Sequence, residues 1–345
     1  MQAFALQTAI QKIGKEATIL DYYYAYDMNK YNVRFDIKRP YHTLMDIYTF
    51  IPTYNRKQAF HRFQNKHMRL SPRTRNWREL ERLGQMCDYL ICGSDQIWNF
   101  NIVEGINPAY FLKFANKTQR KIAYAPSIAI DKLPSELILE LEETLKDFYS
   151  ISVREDISAK ELSEVTGRNV ECVLDPTLLL TNNDYDQLIE ESEFEFPENY
   201  VFVYCIWQSH FRALRTAAEE YAKLHNCKIV YSHKRSIHKK EYGKNIYCMG
   251  PDVFVNAIKH SNYVISDSYH ACIFSVIFNK NFSTYILPDS RSRVDSLCSK
   301  LGIDNVYFGD GIDWKECNLN YIDINNRLER EREHSLYFLK NAIEE

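Results

Sequence analysis

From Asp88 onward, short apolar runs alternate with amphipathic segments of helical period, and this alternation limits the fold more than any other feature of the chain. "DYLICGS" and "RKIAYAPSI" read as strands, "PSELILELEETLKDFYS" as a helix, "SISVRED" as a strand, "SAKELSEVT" as a helix and "NVECVLDP" as a strand. An acidic stretch with turn formers, "LTNNDYDQLIEESEFEFPENY", reads as a linker carrying a short helix. The pattern resumes with "YVFVYCIW", "FRALRTAAEEYAKLHN", "CKIVYSH", "NIYCMG", "PDVFVNAIKHS", "NYVISDS", "YHACIFSVIFN" and "FSTYIL". Strands alternating with helices imply parallel sheets with helices on both faces. A chain of 345 residues suits two such units better than one. The expected fold is α/β, with Rossmann-like domains over 1–185 and 196–320 facing across a cleft, and a C-terminal helix over 321–345. Before Asp88 the pattern is less regular: a helix "AFALQTAIQKIGK", a strand "ATILDYYY", then a basic and aromatic region with helices at "NRKQAFHRFQNKHMRL" and "WRELERLGQMC".

The net charge of −3 gives no global attraction to nucleic acid or an anionic membrane, so an anionic ligand has to be held by a local basic cluster. The nine cysteines lie mostly in apolar runs and never as C-x-x-C. They read as small buried hydrophobes of a reducing compartment, and no pair has zinc-ligand spacing, so no metal is expected. The opening "MQAFALQTAIQKIGKEA" is too polar for a signal peptide or a spanning helix, and no long apolar run appears later. A cytoplasmic protein without an integral membrane segment is expected. With ten glycines, no G-x-G-x-x-G, no Walker loop and no nucleophile elbow, any phosphate must be held by arginine, histidine and helix ends.

In open α/β sheets ligands bind beyond the carboxyl ends of the strands, which makes strand ends the suspects. In "CGSDQIWN", Gly93 allows a sharp turn, Ser94 and Asp95 present polar groups, and Trp98 offers a flat face for a sugar; Asp95 as a helix cap and Trp98 as core fit the pattern equally well. Arg154 in "SVRED" suits a bidentate carboxylate or phosphate, although an internal ion pair with Glu155, Asp156 or Asp175 is favoured by pattern alone. Ser127 in "YAPSI" can cap or touch ligand, whereas Asp175 in "LDPT" reads as fixing a loop. Gly250 and Pro251 open a helix whose first N–H groups form an anion site, and Arg291 and Arg293 precede another helix as a cationic pair or a solvated face. Ser268 in "SDSYHACIFSVIFNK" is a good N-cap, so the helix beginning near Tyr269 turns its positive end outward, and His270 reaches over the same spot. Pattern alone favours a capped core histidine there over one that gives a proton or hydrogen bond to an anion.

Taken in order, "LQTAIQKIGKEATILDY", "ICGSDQIWN", "KIAYAPSI", "SVRED", "VLDPTLLL", "GPDVFVNAIKHSNYVISDSYHACIFSVIFNKNF" and "SRVDSLCSKLGI" resemble the bacterial polysaccharide pyruvyl transferase family over nearly the whole chain. Members usually carry "SFHG" where this chain has "SYHA", at Tyr269 and Ala271, and begin with a strand and an Asn/Gly-bearing loop ahead of the helix that here starts at Met1. The resemblance implies a GT-B-like architecture, with the first domain on the acceptor side and the second on the donor side. It further implies transfer of a pyruvyl group from phosphoenolpyruvate to a sugar of a surface polysaccharide or its lipid-linked precursor, forming a cyclic ketal and releasing phosphate. No redox cofactor, metal or nucleic-acid partner is implied, and peripheral membrane contact is compatible with it. His270 then becomes the acid or the phosphate-side group, Arg154 the grip on phosphate or carboxylate, Asp95 the base toward the acceptor hydroxyl and Trp98 the sugar platform. Arg293, Ser268, Tyr269, Ser94, Ser127 and Gly250 are further substrate-binding candidates. Two other functions fit the same architecture: a nucleotide-sugar glycosyltransferase, for which no acidic residue is well placed to hold a donor ribose, and a non-catalytic scaffold in polysaccharide assembly.

Overall fold

The computed structural model describes residues 1–23, 47–103, 105–129, 132–192, 194–234, 243–285 and 291–344. Part of the basic and aromatic region before Asp88, residues 24–46, lies outside them. Two sheets carry the architecture. The first has the order β1 (Tyr89–Cys92), β2 (Arg120–Ala123), β3 (Phe148–Val153), β4 (Glu171–Cys172), all parallel. The second comprises β5 (Tyr200–Tyr204), β6 (Lys228–Ser232), β7 (Lys244–Asn245), β8 (Tyr263–Ser266), β9 (Phe282–Tyr285) and β10 (Tyr307–Phe308), in the order β10-β9-β8-β5-β6-β7, again all parallel. The alternation from Asp88 onward therefore gives the doubly covered α/β fold it predicts. The apolar runs of β5 and β8 explain why: four of the five β5 residues and every residue of β8 are buried, as helices on both faces require.

The earlier segments depart from expectation. Over its described residues 17–23, "ATILDYYY" forms no strand; it makes only isolated bridges, Ile19 to Leu70 and Tyr22 to Thr74. Its partner stretch contains Pro72, which has no N–H to donate and interrupts the ladder. The helix Gln2–Lys12 packs on the turn Pro176–Leu179 beyond β4. It also approaches the β1 exit closely enough that a side chain at Gly93 would meet Leu6 at 3.1 Å.

The helix Tyr269–Ile277 follows β8 and is apolar almost all round, as befits one wedged between layers. Eight of its nine residues are buried, and the one that is not is His270. The helix Tyr321–Glu344 crosses back to the first sheet. Its Ser335 Oγ accepts from Leu174 N at 2.9 Å, and Arg332 Nε donates to the Leu178 carbonyl at 2.8 Å. These bonds hold the segment after β4 in place, and with it Asp175. Among the described residues no helix is long and apolar enough to cross a membrane.

Candidate active site

The carboxyl ends of β1, β3 and β4 meet that of β8, and the residues just beyond these ends make one cluster. Asp175, fully buried after β4, is its hub. Its Oδ1 accepts from Thr177 N at 3.0 Å and Thr177 Oγ1 at 2.6 Å; its Oδ2 accepts from Arg154 Nη1 at 2.6 Å and Ser94 Oγ at 2.9 Å. His270 Nε2 lies 3.6 Å from the same Oδ2. Burial alone would raise the Asp175 carboxyl, but His270, Arg154 and Thr177 outweigh it and hold it well below the usual carboxylate range. Asp175 is thus a fixed anion that orients the Arg154 guanidinium and faces the His270 imidazole. "LDPT" does fix a loop, and the loop it fixes is the floor of the site.

Arg154 follows β3 and is 3% exposed. Only one of its three guanidinium nitrogens is satisfied: Nη1 is bonded to Asp175, while the buried Nε and Nη2 have no hydrogen-bond partner, Glu155 Oε1 standing 3.6 Å from Nε. The Arg154 guanidinium lies 4.5 Å from the centre of the Tyr269 ring and the Arg293 guanidinium 5.7 Å from it. Burial lowers the pKa of Arg293, and repulsion from Arg154 lowers it further. With its amide oxygen turned toward Arg293, Gln96 accepts from Nη1 at 2.7 Å and Nη2 at 2.9 Å. His270 Nε2 is likewise buried and without a hydrogen-bond partner. Unmade bonds on buried donors are costly, so Arg154 and His270 together are arranged for an anion.

Asp95 sits at the β1 exit with φ 85° and ψ 178°, a backbone conformation essentially reserved for glycine. Its carbonyl accepts from Ile97 N and Ser127 N, both at 2.8 Å, and its Oδ1 accepts from Gln96 N at 2.9 Å. The residue is open to solvent yet surrounded closely enough for burial to oppose its charge; His270, Arg154 and the Gln96 N–H reverse that and lower its pKa. Strain of this kind costs on the order of 1–3 kcal/mol and persists where function needs it. Asp95→Gly is therefore expected to keep the protein as stable as the parent, to within about 1 kcal/mol, and to remove activity. Urea unfolding and rate measurements on the same preparation check this; a large loss of stability would make Asp95 a structural cap.

Several expected site residues lie elsewhere. Trp98 is 0% exposed, stacks on Phe111 at 4.7 Å and 5°, and donates from Nε1 to the Tyr110 carbonyl at 3.2 Å, so neither face is open to a sugar. It is core, because the apolar residues around it fill the space under β1. Ser127 is also fully buried, its hydroxyl donating to Glu155, and reaches no ligand. Gly250 opens the helix Pro251–Lys259 against Ala59 of the helix Phe50–His67; a side chain there would strike Asp252 Oδ1 at 2.4 Å. Its contacts are to those two helices and not to Arg154. Ser268 occupies the N-cap position as expected, but its hydroxyl makes no capping bond; instead its N–H donates to Ser266 Oγ at 3.0 Å.

Two features escaped the sequence. Gln96 is one; it was hidden by its polar, uncharged side chain. The other is the loop after β5, where Trp207 is 63% exposed and Ile206 is exposed beside it. The loop is held from the far side of the switch point between β5 and β8: Asp267 Oδ1 accepts from Ile206 N at 2.7 Å and Oδ2 from Trp207 N at 2.9 Å, with His210 Nδ1 3.1 Å from Oδ2. Asp267 is three residues from His270, so the same turn that carries His270 fixes the backbone of the loop bearing the exposed Trp207.

The fold and the cluster together define an α/β protein whose buried polar cluster lies where two parallel sheets meet. A family model described as polysaccharide pyruvyl transferase matches residues 1–285, and the chain belongs to that family, whose members are transferases acting on polysaccharide. No curated protein matches the sequence. Solved structures similar to it include a UDP-GlcNAc 2-epimerase from Neisseria meningitidis bound to UDP-GlcNAc, at 12% identity and TM-score 0.48, covering 100% of this chain and 91% of that one. Arabidopsis thaliana UGT89C1 follows at 12% and 0.44, covering 99% and 90%, and E. coli ADP-heptose lps heptosyltransferase II at 9% and 0.37, covering 96% and 95%.

Proposed function

We propose that the chain transfers a pyruvyl group from phosphoenolpyruvate to two hydroxyls of a sugar, on a surface polysaccharide or its lipid-linked precursor. The observation that supports this reading is the buried Arg154 guanidinium whose Nε and Nη2 make no hydrogen bond, beside Arg293 and a His270 Nε2 that makes none either. The donor carries a carboxylate and a phosphate on adjacent atoms of one small molecule, and two guanidinium groups against one tyrosine ring suit such a polyanion. Bound there, it would relieve the repulsion between Arg154 and Arg293.

The proton count fits the residue types. One sugar hydroxyl attacks C2 of the enol and a second displaces phosphate, so two C–O bonds form while the C–O bond to phosphate breaks. Of the two hydroxyl protons lost, one is matched by a proton delivered to the methylene carbon, which becomes methyl, and the other leaves with phosphate. In this reading His270 is the acid for the carbon or the phosphate oxygen; Asp95, kept ionised by its neighbours, is the base for the hydroxyl. Arg154 and Arg293 neutralise charge as it gathers on the leaving group.

Trp207 takes the platform role that Trp98 cannot fill. Trp207→Ala is expected to raise the acceptor KM about tenfold, with kcat and donor KM little changed and Trp207→Phe restoring most of the loss. The whole reading is tested by acceptor-dependent release of phosphate from phosphoenolpyruvate. Absence of release, with turnover of a nucleotide sugar instead, would replace it by the glycosyltransferase.

A further inference from the structure

The helix Phe50–His67 leaves an apolar stripe uncovered. Phe50, Ile51 and Tyr54 share one face of it, with Ile47 just ahead, and all four are exposed, Ile51 at 68%. Pro52, Ala59 and Phe63 point the other way and are buried, Phe63 against Phe4 at 5.9 Å. A contiguous exposed stripe of this kind marks an interaction surface.

The charge around the stripe says what kind. Residues 47–78 contain eight Lys and Arg and no Asp or Glu, in a chain whose net charge is −3. Some of this charge is met from elsewhere: Lys66 by Glu191 at 2.8 Å, Arg69 by Glu16 at 2.9 Å and Arg73 by Asp21 at 2.7 Å. Arg56 stacks on Phe60 and Tyr247, each at 4.9 Å, while Arg62 is exposed.

We propose that this face seats the protein on an anionic phospholipid surface, the apolar stripe entering the boundary between headgroups and acyl chains and the basic residues meeting lipid phosphates. A second copy of the chain would set this basic surface against itself, whereas an anionic bilayer complements it in both charge and hydrophobicity. The inference deepens the proposed function, since a lipid-linked acceptor lies in that plane, and it rests on that reading for its purpose alone.

Vesicle co-sedimentation of the whole chain tests it without any transfer step. The protein is expected to pellet with vesicles of phosphatidylglycerol and phosphatidylcholine, to bind pure phosphatidylcholine far less, and to be released in part by high salt. Ile51→Asp with Tyr54→Asp should weaken partitioning about tenfold or more, and separately Arg62→Gln about fivefold, with unchanged thermal unfolding because these side chains are exposed. No binding to the anionic vesicles, or variants that partition like the parent, would overturn the proposal. So would a concentration-dependent dimer dissociated by Ile51→Asp, which would assign the face to a second copy.

Discussion

Arg154→Lys is expected to leave a folded protein whose transfer rate has fallen about 10²–10³-fold, the loss typical of removing a preorganised donor from charge developing in the transition state. The ammonium keeps an ion pair with Asp175 but cannot reproduce the fork whose Nε and Nη2 now make no hydrogen bond. Arg154→Ala should behave differently. Asp175 is fully buried, and stripping its cation leaves an uncompensated carboxylate, at a cost of about 3–5 kcal/mol. Urea unfolding separates the two variants, and initial rates across phosphoenolpyruvate concentrations show whether binding or turnover has suffered. A lysine enzyme with parental kcat and KM would remove Arg154 from the donor grip and leave it as the counter-ion of Asp175.

His270→Ala is expected to lower turnover about 10²–10⁴-fold while leaving thermal unfolding within a few degrees of the parent. The side chain is the one member of its helix that is not buried, and Asp175, which loses its 3.6 Å contact, keeps its bonds from Arg154, Ser94 and Thr177. Reaction in D2O gives a readout specific to its role, because the ketal methyl should gain one deuterium in the step that the variant slows. Collapse of the fold in His270→Ala would return the residue to the core, as the pattern of "SDSYHACIFSVIFNK" taken alone suggests.

What the sequence reveals and what it hides follow from the range of the interactions. β5 and β8 are legible because continuous apolar runs can satisfy both buried faces of a parallel sheet in only one way. Arg154, Asp95, Ser94 and His270 are legible as suspects because each stands just past a strand. Their assembly is not, since Asp175, 21 residues from Arg154 and 95 from His270, bonds Arg154 and Ser94 and faces His270 through contacts that leave no local pattern. Trp98 and Trp207 show the same limit: both follow strands and both look like platforms. Only the packing of Phe111 and Phe148 against one, and of Asp267 beneath the backbone of the other, decides which stays open. The N-terminal "ATILDYYY" has the composition of a strand, but its would-be partner carries Pro72, and composition says nothing of partners.

The central claim, that Arg154, Arg293 and His270 form a binding site for phosphoenolpyruvate, is tested most directly by titration calorimetry of the parent and of Arg154→Lys. The parent should bind phosphoenolpyruvate at one site per chain, with affinity reduced tenfold or more in the variant and thermal stability rising with the logarithm of donor concentration. No heat of binding by the parent, or equal affinity in the two proteins, would contradict it.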